Sequence, residues 1–82
     1  MLTSLSEEAD AINWYVQRMS VEPDEEAHAI MDDSLGEEFK HFSMELEFLL
    51  RKMPKWREIA QGVLFKSGNI VGHGETAESE AG

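Results

Sequence analysis

Cysteine is absent, proline occurs only twice, and no apolar run approaches the ~20 residues needed to cross a bilayer. Without cysteine there is no disulfide framework, no thiolate metal site and no nucleophilic thiol, and nothing argues for an oxidising compartment. Basic residues are scarce too: 7 Lys and Arg stand against 17 Asp and Glu, a formal charge of -10. That balance opposes binding to nucleic acid or to an anionic membrane surface and favours cations. The opening MLTSLSEEAD has no basic stretch followed by an apolar run, so no signal peptide is expected and the expected location is the cytoplasm. Eighty-two residues allow one domain, too small to hold several charged groups inside without compensation.

The acid is unevenly placed. Residues 1–50 hold 13 Asp or Glu with only Arg18 and Lys40 against them, whereas residues 51–82 hold 4 acids and 5 bases. A metal would be drawn to the first two thirds. No strand-like alternation and no internal repeat is visible, and the apolar spacing is helical, which predicts an all-α fold. Ser4 and Glu7 have the spacing of a capping box for a first helix that ends near Met19. Pro23 suits the first position of a second helix, with Asp24, Glu25 and Glu26 complementing its dipole. No breaker stronger than Gly36 follows until Pro54, which predicts about 30 helical residues, roughly 45 Å. Pro54 can open a short third helix over KWREIAQGVLF. The expected architecture is an antiparallel helical hairpin plus a short C-terminal helix over residues 1–65, then a flexible acidic tail over residues 66–82.

An acid interrupts the apolar stripe of the first helix, and acids fill a row beside that of the second. Leu5, Ile12, Tyr15, Val16 and Met19 share a face of the first helix, with Glu8 in its middle. On the second helix Leu35, Phe39, Phe42, Leu46, Leu49 and Met53 form a seam for a neighbouring helix. A quarter turn away runs Met31, Ser34, Glu38, His41, Glu45 and Phe48, apolar at its ends and polar in its middle. A carboxylate in such a place is normally paired, protonated or bound to metal, and two carboxylates with one imidazole supply no permanent cation. Glu38 and His41, three apart, can aim an oxygen and a nitrogen at one point, and Glu8 can add a second oxygen. The mixed set suits iron, manganese or zinc better than calcium.

Di-iron carboxylate bundles use two such sets, a Glu from each of two helices and Glu-x-x-His from each of the other two. This chain holds one set, so a complete two-metal site requires a second copy, and the dimer itself would be the four-helix bundle. Glu-x-x-His alone is frequent by chance in acidic helices, and Glu8 at the edge of a core could simply reach solvent. Tyr15, two turns after Glu8, is placed to hydrogen-bond a ligating carboxylate, although packing is the commoner role for such a tyrosine. Trp14 and Trp56 read as interface or core aromatics, and His28, His73, Asp32 and Asp33 as surface residues.

The run EEADAINWYVQR, followed by GEEFKHFSMELEFLLRKMPKW and GVLF, resembles the encapsulated ferritins, ferritin-like proteins carried as cargo inside encapsulin nanocompartments. The resemblance covers roughly residues 3–66. It implies that Glu8, Glu38 and His41 are iron ligands, that two chains meet in a ferritin-like four-helix bundle to form a di-iron ferroxidase centre, and that Trp14 and Tyr15 lie beside it. Glu7 and Asp10 match acidic metal-gathering positions, with calcium as an alternative cation there. The implied assembly is a ring of dimers, typically a decamer, with oxidised iron stored in the encapsulin shell. The tail GHGETAESEAG carries no Gly-Ser-Leu type docking peptide, so encapsulation is expected from the resemblance alone. The leading expectation is therefore an iron-oxidising enzyme that uses dioxygen. The competing ones are a dimeric helical interaction module whose polar centre sets register, and a metal-buffering protein without redox turnover.

Overall fold

The structure is a computed structural model that describes residues 1–82. It is entirely helical: α1 (Leu2–Met19), α2 (Glu25–Lys52), α3 (Pro54–Val63) and α4 (Ile70–Ala81). The chain divides into two compact units, Met1–Leu49 and Leu50–Gly82.

The first unit is the predicted hairpin of α1 and α2. Its turn is tied by Glu22, whose Oε2 accepts from Arg18 at 2.7 Å and whose Oε1 accepts from the Asp24 backbone N–H at 3.2 Å. Asp24 then caps α2: the Ala27 N–H donates to its Oδ1 at 3.0 Å, satisfying one of the orphan donors of the first turn. Pro23 therefore precedes the cap and does not occupy the first helical position, while Glu25 and Glu26 fill the first turn as expected. The capping box expected at Ser4 and Glu7 is not formed, because α1 already starts at Leu2 and places Ser4 inside its first turn. At 28 residues, α2 is about 42 Å long and passes through Gly36 unbroken.

The face that α2 turns to α1 differs from the predicted seam. Its covered or partly covered residues are Met31, Ser34, Leu35, Glu38, Phe42, Glu45, Leu46 and Leu49, a stripe at three-and-four spacing. Phe39 is 51% exposed, and Met53 lies outside the helix and is exposed. One neighbouring helix can cover only one wedge of α2, and the wedge it covers lies between the apolar seam and the polar row, leaving Phe39 outside. On α1 the matching stripe is Ser4, Leu5, Glu8, Ala11, Ile12, Tyr15 and Met19, with Val16 exposed contrary to its predicted place on that face. Only Leu35 and Leu49 are buried in this unit, neither of them completely, and Trp14, Ile30, Met44 and Phe48 are exposed.

In the second unit α3 starts with Pro54 in its first turn, as predicted. Helix α4 falls within the segment expected as a flexible tail. Composition hid it because its stability comes from specific contacts rather than from an apolar stripe. Gly68, at φ 99°, turns the chain into Asn69, whose Oδ1 accepts from the Gly72 N–H at 2.8 Å. His73 Nε2 donates to the Ser67 carbonyl at 2.8 Å across the same turn. Helix α4 packs on α3 where Gly62 meets the buried Ala77, so closely that a Cβ built on Gly62 would lie 2.5 Å from that of Ala77.

Candidate metal centre

Glu8 stands 11 residues before the end of α1 at Met19, and Glu38 stands 13 residues after the start of α2 at Glu25. An antiparallel hairpin with a short link brings positions at equal depth together, so the two acids meet across it, and His41 follows one turn further along α2. One donor atom from each of Glu8, Glu38 and His41 lies within 4.8 Å of the others. The His41 Nδ1 is 3.9 Å from Glu8 Oε2, beyond hydrogen-bond reach, with Glu8 21% and His41 46% exposed in their side chains.

Nothing basic neutralises the group. Arg18 is engaged by Glu22, and Lys40 is turned to Glu37 at 2.9 Å. That Lys40 hydrogen bond, with its charge, holds the Glu37 carboxyl below the usual carboxylate range. Glu38 Oε2 is buried and accepts no hydrogen bond, an arrangement that costs free energy unless a partner arrives. A carboxylate oxygen aimed into the hairpin without a donor, beside a second carboxylate and an imidazole, fits a hard or borderline cation such as iron, manganese or zinc. The residues present therefore fit a metal.

The other predicted residues are distributed unequally. Tyr15 lies in the covered stripe of α1, two turns from Glu8 and about 10.5 Å along the axis. Its ring meets that of Trp14 edge to face, with centroids 5.1 Å apart and planes at 83°. No hydrogen bond, from Tyr15 or any other residue, reaches the orphaned Oε2 of Glu38. Glu7 and Asp10 are exposed and lie outside the three-residue group. Glu45 is the residue for which spacing alone suggested no role: its Oε1 is also buried and unpartnered. The signal was available, since Glu45 lies one turn after His41 in the polar row.

The chain is 42% identical over 70 residues to a ferritin-like protein of Thermotoga maritima, a match covering 85% of this chain and 61% of that protein. It is 39% identical over 70 residues to an encapsulated ferritin-like protein of Rhodospirillum rubrum, covering 85% of this chain and 50% of that one. The chain thus spans between half and about three fifths of the length of these relatives. A family model described as EncFtn-like matches residues 1–67, and on a match over so much of its length the chain belongs to the EncFtn-like family, the encapsulated ferritins.

Proposed function

We propose that the protein is a ferroxidase that takes Fe(II) as substrate at a centre completed by two copies of the chain. The observation that carries this reading is the approach of Glu8, Glu38 and His41 to within 4.8 Å of one another, in a hairpin whose Arg18 and Lys40 are engaged by other carboxylates. Three donors do not fill the coordination sphere of iron, and a second copy presenting the same three would supply a two-metal set. The exposed Trp14, Phe39, Met44 and Phe48 give the hairpin apolar surface for such a partner to cover.

In this reading Glu8, Glu38 and His41 of each copy would hold the ions. Carboxylates favour Fe(III) over Fe(II), so the site promotes the loss of one electron from each ion to dioxygen. His41 must be neutral to ligate, so affinity falls as the solution is acidified. Trp14 and Tyr15 flank the centre, and Glu7 and Asp10, exposed on the first helix, attract Fe(II) toward it. Dimers assemble further into a ring, and the name of the Rhodospirillum rubrum relative supports housing in an encapsulin shell that stores the product.

Stopped-flow measurement of Fe(II) oxidation by wild type, Glu38→Ala and His41→Ala tests the reading. Rates at least tenfold lower in both variants are expected, and rates equal to wild type would overturn it. Mass measurement with iron, without iron and after chelation separates it from a dimeric interaction module, whose assembly would be indifferent to metal.

A further inference from the structure

Only two buried carboxylate oxygens in the chain lack a hydrogen-bond partner, Oε2 of Glu38 and Oε1 of Glu45. The first belongs to the donor group described above; the second does not. Glu45 lies four residues after His41 on α2, so the two are neighbours on one helix face, one turn apart. A histidine that gives one ring nitrogen to a metal carries its proton on the other. That N–H is usually donated to a carboxylate, a backbone carbonyl or water, which fixes the tautomer and the ring plane.

The acids within one turn of His41 along α2 are Glu37, Glu38 and Glu45. Glu37 is exposed and engaged by Lys40, and Glu38 is itself a donor to the centre. Glu45 is left, with an acceptor oxygen held out of solvent and unused. Keeping it there costs free energy in the metal-free chain, as expected of an acceptor whose donor is oriented only when metal binds.

We propose that Glu45 is a positioning residue: on metal binding it accepts the hydrogen bond of the non-ligating ring nitrogen of His41 and holds the imidazole in its ligating orientation. This rests on the reading of Glu8, Glu38 and His41 as metal ligands. It adds a residue that contacts no metal and acts through the histidine.

The test titrates Co(II) into the 82-residue chain as wild type, Glu45→Gln and Glu45→Ala, following ligand-field absorption and heat. Glu45→Ala is expected to weaken Co(II) binding about 10- to 100-fold, the usual effect of removing such a partner. Glu45→Gln retains an acceptor oxygen and should recover most of that loss. In the Zn(II)-loaded wild type the non-ligating His41 ring proton should be visible by NMR and protected from exchange, and in Glu45→Ala it should be lost. Without metal, Glu45→Ala should melt no lower than wild type, since it removes an unsatisfied buried oxygen.

Equal Co(II) affinity in wild type and Glu45→Ala would overturn the proposal while leaving the ligand assignment standing. Loss in Glu45→Gln as large as in Glu45→Ala would also overturn it, because charge rather than an accepted hydrogen bond would then be at work. If Glu45→Ala does not fold, the role is structural and the proposal fails, unless Glu45→Gln folds, binds Co(II) and keeps the protected ring proton. A wild type that binds no Co(II) would sink the ligand assignment together with this role.

Discussion

Replacing Glu38 by Gln should make the metal-free protein more stable and the metal-loaded protein less so. The donor oxygens of Glu8 and Glu38 lie within 4.8 Å of each other. At that distance two unit charges repel by about 1 kcal/mol in water and by about 3.5 kcal/mol at an effective dielectric of 20. Since the Glu8 side chain keeps 21% of its exposure, the lower figure is the better guide, and about 1 kcal/mol of relief is expected from neutralising Glu38. For a chain of this size that corresponds to a rise in Tm of roughly 4–8 °C. In wild type, free Co(II) at a hundred times its Kd should add about 2.7 kcal/mol, or roughly 10–20 °C, whereas Glu38→Gln should gain less than a third of this. Thermal unfolding by circular dichroism at fixed protein concentration, with and without Co(II), reads both effects, and the order of the two proteins should invert on adding metal. If metal-free Glu38→Gln melted at or below wild type, the two carboxylates would not be in uncompensated proximity. If it gained as much from Co(II) as wild type, Glu38 would not be a ligand.

Two further outcomes test the fold that positions these groups. Asp24→Ala removes the side-chain cap of α2 and should cost about 1 kcal/mol, read as a lower urea midpoint with an unchanged slope. Gly62→Ala forces a methyl group to within 2.5 Å of Ala77 Cβ and should cost about 1–3 kcal/mol by overpacking, read as faster amide exchange in α4 while α1 and α2 stay protected.

The helical hairpin was legible because helix periodicity and the break at residues 20–24 are local properties of the chain. The grouping of Glu8, Glu38 and His41 was legible for a related reason: an acid inside an apolar stripe conflicts with burial, and such conflicts mark candidate sites. The Glu38 and His41 pairing follows from helix geometry alone, and that of Glu8 with them from equal depth in an antiparallel pair. Helix α4 was not legible, since its sequence is polar and rich in glycine. What forms it is a cap at Asn69, a histidine bond across the turn and the approach of Gly62 to Ala77, none of which leaves a periodic trace.

By itself, then, the sequence determined the helical class, the turn between the long helices and the convergence of Glu8, Glu38 and His41, because each depends on residues a few positions apart or on counted distance from one turn. Only the tertiary structure decided which wedge of α2 faces α1. Two rows a quarter turn apart were both candidates, and the angle at which the helices pack is set by the side chains of both together. That angle put Glu45 under cover beside the donor group and left Phe39 in solvent.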